Sequence, residues 1–184
     1  KKIGLITAVM LASLALSARE VDINGDFQKV TKWKTADGWF NTDSNGRAEI
    51  IKEGERNSIR ITLKENAEYD TYRRLASVPV KADDLVTIRM TASGKGFLGC
   101  GVAWTKKGAY TENDQKRYRL TSEPKEYVFT GKLGERSKKG MDGFTVTAVL
   151  TPEKPGDGGW VLKIDSVKLD VGGESRSIDT LKRG

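Results

Sequence analysis

The chain has 184 residues, 37% of them hydrophobic, and a formal charge of +7. One cysteine excludes an internal disulfide framework, and the absence of histidine removes Ser-His-Asp triads and histidine metal centres. The 25 acidic residues leave a carboxylate-pair glycosidase chemically open, but nothing in their spacing singles out a pair.

Residues 1–18, KKIGLITAVMLASLALSA, set two lysines before an apolar run that ends on small residues, with Ala15 and Ser17 in small-x-small register. This reads as a secretory signal peptide and is set aside from fold reasoning. Gly4, Thr7 and Ser13 interrupt the run, which is short of a spanning helix. A secreted, periplasmic or cell-surface location is expected, with no membrane insertion after cleavage. Losing Lys1 and Lys2 lowers the charge from +7 to +5. The remaining charges are interspersed, and the longest basic patch is Lys138 and Lys139 with Arg136 nearby. They read as a solvated surface, and no nucleic-acid partner is expected.

Beyond the leader the pattern is short alternating runs between turn residues. SIRITL sets Ile59, Ile61 and Leu63 against Ser58, Arg60 and Thr62, and LVTIRMTA sets Val86, Ile88, Met90 and Ala92 against Thr87, Arg89 and Thr91. FLGCGVAW, EYVFTGKL, FTVTAVL and WVLKIDSVKL continue the series. Period two with one buried face marks antiparallel strands. Nine to eleven strands and no strong helix predict an all-β antiparallel sandwich or jelly roll as one domain over 19–171. The last strand changes phase, since Trp160, Leu162 and Ile164 share one parity while Val167 and Leu169 share the other; a bulge near Ile164 and Asp165 is expected. From Gly172 to the end the composition is polar and reads as a tail. Cys100, inside LGCGVAW, reads as a buried thiol acting as a small hydrophobe.

Two motifs imitate known chemistry. GKGFLG, 94–99, satisfies GxGxxG, but a strand follows where a dinucleotide site needs a helix, so the glycines read as a hairpin turn. NTDSNGRAEIIK, 41–52, echoes a calcium loop, but Asn41 stands first and Lys52 stands where a bidentate glutamate is required. The Asn-Gly pair there reads as a type I′ hairpin turn.

NGDF at 24–27, Gly38-Trp39, SIRITL at 58–63, LVTIRMTASG at 85–94 and IDSVKL at 164–169 occur in an order and spacing that resemble carbohydrate-binding modules of families 4 and 9. The resemblance covers most of 20–171 and implies a galactose-binding-like jelly roll that binds a poly- or oligosaccharide without catalysis. It also implies that NGDF opens the first strand, drives Phe27 into the sandwich and ties to the last strand. In the family an acid after NGDF and the Asp of the last strand hold a structural calcium; here these positions are Gln28 and Asp165, so the expected metal ligands include a neutral amide. The glutamate of that pattern is replaced by Gln28, and the aromatic at the start of the middle strand by Leu85.

A sugar site needs an aromatic face and a few orienting polar groups. Trp104 at a strand exit, Tyr72 in YDTYRRL, Arg89 on the outer parity of a middle strand and Tyr118 are the expected carbohydrate-binding residues, with Tyr110 as loop cover and Trp39 as a further candidate. Trp160, in phase with Leu162, reads as core; Trp33 lies in a charged loop and is expected to cover a core edge. Two other function classes stay open: a structural or adhesive surface domain that holds a protein partner, and a small carboxylate-based glycan-active enzyme. The oligomeric state is open.

Overall fold

The computed structural model describes residues 18–154 and 156–172. The leader expected over 1–18 and the tail expected over 172–184 lie outside them, apart from Ala18 and Gly172. Twelve strands are formed among the described residues, in chain order β1 (Arg19–Glu20), β2 (Trp39–Asn41), β3 (Gly46–Glu53), β4 (Arg56–Leu63), β5 (Asp70–Arg74), β6 (Val78–Pro79), β7 (Leu85–Lys95), β8 (Phe97–Lys106), β9 (Ala109–Arg119), β10 (Lys125–Lys132), β11 (Gly143–Thr151) and β12 (Val161–Val171). A 3₁₀ turn, Gly134–Lys139, joins β10 to β11. No helix among the described residues is long and apolar enough to cross a membrane.

The strands make two antiparallel sheets, as the alternation predicts. The first runs β10-β7-β12-β4-β3, with β1 also on β12; the second runs β2-β5-β11-β8-β9, with β6 also on β11. Between them lie the inward parities read from the sequence: Ile59, Ile61 and Leu63 of β4, Val86, Ile88, Met90 and Ala92 of β7, and Phe144, Val146, Ala148 and Leu150 of β11. Each valine, isoleucine, leucine, methionine or phenylalanine among them contributes roughly 1.5–3 kcal/mol when fully buried. Cys100 joins them as expected, fully buried, and burial pushes its thiol up to about 12.

NGDF does what was expected of its phenylalanine. Asn24 and Phe27 both take positive φ, the Phe27 amide donates to Asn24 O at 3.1 Å, and the ring is fully buried against Trp39 at 5.7 Å. The tie to the last strand is backbone rather than side chain. Val167 N donates to Gly25 O at 2.8 Å, and a Cβ on residue 25 would stand 1.8 Å from Val167 O. No long strand follows it; only an isolated Val30–Ala36 bridge closes the loop after it. The bulge in the last strand falls where the phase change put it, between Ile164 and Ser166, leaving Asp165 unpaired.

Three turn readings are corrected. The glycines of GKGFLG make no hairpin, because β7 and β8 belong to different sheets; Gly94 and Gly96, at φ 146° and 116°, turn the chain from one layer to the other. The Asn45-Gly46 pair likewise joins β2 to β3 across the sheets, and neither residue has the positive φ that a type I′ turn needs. That turn type occurs instead at Lys107-Gly108, where both φ values are positive and β8 pairs with β9. Tyr110, expected as loop cover, lies instead in strand β9, which takes up most of the stretch after Trp104.

Candidate functional site

Residues directly opposite in an antiparallel pair share a face. The outer face of the second sheet is therefore set by register: Phe40 of β2 beside Arg73 of β5, Arg73 beside Thr147 of β11, Thr147 beside Gly101 of β8, and Gly101 beside Gln115 of β9. One row along, Thr71, Val149, Gly99 and Arg117 form a parallel line. The centre of this face carries only hydrogen, methyl and hydroxyl groups, so it is a trough between longer side chains.

The walls are fixed by cation–π contacts. Arg117 lies over the Phe97 ring at 4.0 Å, and Arg73 lies over Phe40 at 5.3 Å. Beside Phe97, Arg119 forks onto both carboxylate oxygens of Glu153 at 3.0 Å. Gln115 reaches across the floor to Thr147 Oγ1 at 3.4 Å, and a Cβ at Gly99 would stand 2.5 Å from Gln115 Oε1. Gly101 is needed where β9 comes over the face, since its Cβ would meet Asp114 O at 2.1 Å. An open cavity of about 480 Å³ remains, lined by Glu68, Gly99, Gln115, Arg117, Val149 and Glu153 among others. A planar guanidinium held flat, a carboxylate pair and an adaptable amide around an apolar floor can orient a polyhydroxylated chain and pack on its C–H faces.

The residues expected to bind sugar do not form one constellation. Trp104 is fully buried on the core side of β8, its Nε1–H directed at Asp114 at 3.5 Å and its ring edge-on to Phe144. Arg136 closes over it from the 3₁₀ turn, 5.4 Å from the ring, and pairs with Glu112 and with Asp114 (3.2 Å). Trp39 and Tyr72 do meet, stacked at 5.6 Å and 10°, but both are buried and offer no open ring face. The Trp39 Nε1–H is spent on Ile23 O at 2.8 Å. Tyr118 is half-buried, tilted on Tyr127, with its hydroxyl on Val128 O. Arg89 sits on the outer face of the first sheet, on the far side of the sandwich from the trough, and pairs with Asp170. Tyr110 is exposed beside the β8–β9 turn. Trp160 is core, as expected, whereas Trp33 covers nothing: it is 74% exposed, with the Lys32 ammonium 4.9 Å from its ring.

The floor residues of the trough, Gly99, Gly101 and Thr147, were missed because they carry no aromatic flag. A signal was present in the parity of FLGCGVAW, where one face holds Leu98, Cys100, Val102 and Trp104 and the other Phe97, two glycines and Ala103.

Gln28 and Asp165, the pair expected to hold calcium, line one cavity on the outer side of the first sheet. Their surroundings do not fit the ion. Lys163 Nζ lies 2.8 Å from both Glu53 oxygens and 3.3 Å from Asp165 Oδ1, so an ammonium already occupies the acidic centre. The bond to Glu53 raises the Lys163 pKa and keeps it charged. The Gln28 amide turns its Nε2 to Asp26 O at 3.2 Å. Among the described residues no three acidic, cysteine or histidine side chains are grouped for a metal, and hard cations need several oxygens.

No protein-family model and no curated protein sequence matches the chain. Solved structures do resemble it. A family 4 carbohydrate-binding module is 14% identical, with TM-score 0.54, over 83% of this chain and 100% of that one. A cyclase from Fischerella sp. TAU, solved with 4-(1H-indol-3-yl)butan-2-one, is 14% identical with TM-score 0.62, over 86% and 100%. The enzymatically active domain of bacteriophage CBA120 tailspike protein 4 is 7% identical with TM-score 0.59 over 82% of this chain, which spans 21% of that protein. Modules of families 22 and 29 share the architecture as well. The likeness is one of fold: a carbohydrate-binding-module-like β-sandwich, the architecture that the alternation and the NGDF-type segments predict.

Proposed function

We propose that this chain is a non-catalytic module, of the family 4 and 9 kind, that binds a poly- or oligosaccharide along the outer face of its second sheet. The observation that carries the reading is the trough itself: a floor of Gly99, Gly101 and Thr147 between the Phe97–Arg117 and Phe40–Arg73 stacks. The open part of this row, over Gly99 and Val149 beside Arg117, suits a polyhydroxylated chain, and Arg117, Gln115 and Glu68 supply donors and acceptors along it. Resemblance to modules whose names state carbohydrate binding supports the same ligand class. Read with the leader at 1–18, the module acts outside the cytoplasm. In place of calcium, Lys163 serves as the cation of the Glu53–Asp165 cavity.

Calorimetric titration of residues 19–184 with a panel of soluble polysaccharides tests the proposal. One glycan class should bind saturably, and Arg117→Ala with Gln115→Ala should weaken it by about tenfold or more, since each hydrogen bond to a charged group contributes about 1.5–3 kcal/mol. The melting temperature of that variant should stay close to the parent's. A flat response over the whole panel, or unchanged affinity in the variant, would overturn it. Trp33 favours a second reading in that event. A tryptophan 74% exposed between Lys32 and Lys34 is an anchor for a protein surface, as an adhesive domain requires.

A further inference from the structure

The sandwich is not sealed along the side where β2 ends the second sheet and β3 ends the first. These two edge strands are joined through the turn at 42–45 but make no ladder with each other. Ala48 and Ile50, on the inward parity of β3, are left partly exposed, although their partners Ile61 and Ile59 are fully buried. The seam leads into a cavity of about 360 Å³. Trp39 and Tyr72 bring no more than ring edges to its wall and Ala48, Ile50 and Ile59 supply aliphatic surface, while Lys34 and Lys64 stand at the exposed margin.

One polar group in this wall is unspent. The Asn41 amide donates its Nδ2–H to Asp70 Oδ2 at 2.7 Å, and its Oδ1 is buried with no hydrogen-bond partner. The carboxylate holds the amide in that sense, because turning it over would set oxygen against oxygen. Asp70 is itself fully buried, and its Oδ1 also lacks a partner. Two of the five such atoms among the described residues therefore belong to one hydrogen-bonded pair. Gly46 accommodates the pair, since a Cβ there would stand 2.3 Å from Asp70 Oδ2. Buried acceptors without partners are uncommon and call for an explanation at each place they occur.

We infer that this seam is a second binding site, separate from the trough, for a single small aromatic molecule carrying one neutral O–H or N–H donor. The cavity lies near the small end of the roughly 300–1,000 Å³ range of ligand pockets, so it takes a compact molecule rather than a chain. The ring edges and aliphatic wall suit an aromatic body, and Asn41 Oδ1, buried just behind that wall, takes its donor once a small shift of the lining side chains uncovers it. An anion is disfavoured there by the carboxylate of Asp70 behind the amide. A sugar is disfavoured as well, because it would bury several hydroxyls against one free acceptor.

Titration of the isotope-labelled protein with p-cresol and with 4-methylanisole, followed by ¹H–¹⁵N spectra, tests the assignment. The two probes share a shape, but only the first can donate. p-Cresol should give saturable shifts at the Trp39 indole N–H, the Asn41 side chain and the backbone of residues 46–50, with none at Gln115 or Arg117. 4-Methylanisole should bind about tenfold more weakly, the worth of one hydrogen bond. Ala48→Trp, which fills the mouth, should abolish the p-cresol shifts. The inference fails if p-cresol gives no saturable shift up to its solubility, as a cavity holding only water would. It fails equally if the two probes bind alike, or if the shifts persist in Ala48→Trp. The comparison of the probes on the unaltered chain decides the matter even where that variant does not fold.

Discussion

Trp104 was the aromatic residue most tempting as a sugar platform, and its environment gives it a different task. Its ring fills the core end of β8 and is roofed by Arg136, so Trp104→Ala removes a fully buried aromatic and should cost about 3–5 kcal/mol in urea unfolding. The folded fraction of that variant should keep its glycan affinity, because the ring has no surface in the trough. Cys100 makes a simpler expectation: with its thiol pushed up to about 12 and no exposure, it should stay silent toward a thiol reagent until denaturant is added. Asp70 has a pH signature. Desolvation raises its carboxyl above the usual 3.8, against the lowering pull of the Asn41 amide. A carboxyl whose pKa is raised on folding binds its proton more tightly in the folded chain, so its ionisation opposes folding above the raised value. That penalty fades as the pH falls toward 3.8. Asp70→Asn should therefore melt above the parent at pH 7, with the gap closing on acidification; a constant gap in calorimetric scans would count against ionisation as the cause.

Among the elements, β12 carries one irregularity, the bulge at Asp165. Asp165 is the extra residue that lets Ile164 and Val167 both point inward, although their spacing of three would otherwise place them on opposite faces. Deleting it would leave Ile164 and Val167 evenly spaced in an unbroken alternation, with Val167, Leu169 and Val171 still inward, so the deletion should fold and unfold cooperatively in urea; Asp165→Ala should also fold, with a loss of about 1 kcal/mol or less. This bulge was legible because alternation breaks visibly in WVLKIDSVKL. Strand β9 was not. Its inward parity holds Glu112, Asp114, Lys116 and Tyr118, and the first two are closed by Arg136 arriving from the 3₁₀ turn rather than by apolar neighbours. An edge strand neutralised by a distant arginine leaves no period-two hydrophobic trace. The layer changes at Gly94–Gly96 and at 42–45 were equally hidden, since a glycine turn looks alike whether the chain returns to the same sheet or crosses to the other.

At the scale of the whole molecule, the two-layer architecture followed from hydrophobic alternation alone, because burial on one face is what alternation records. The candidate site did not, because a trough is defined by what is missing from its floor: glycine and threonine on the outward parity of two central strands. The cation in the first-sheet cavity makes a global expectation as well. Chelator and added calcium should leave the melting temperature unchanged, while Lys163→Met should lower it by setting Glu53 and Asp165 against each other; a rise on adding calcium to the parent would refute this account. The pairing of Arg19 with Val171 and of Glu20 with Asp170 has a mechanical consequence. The chain enters and leaves this fold at the same end of adjacent antiparallel strands, so tension applied across those two points loads their ladder one rung at a time. Under such a pull the domain opens like a zipper, β1 peeling first and β12, the spine shared by β7 and β4, being drawn out next, whereas a pull along the length of β12 would meet every rung at once.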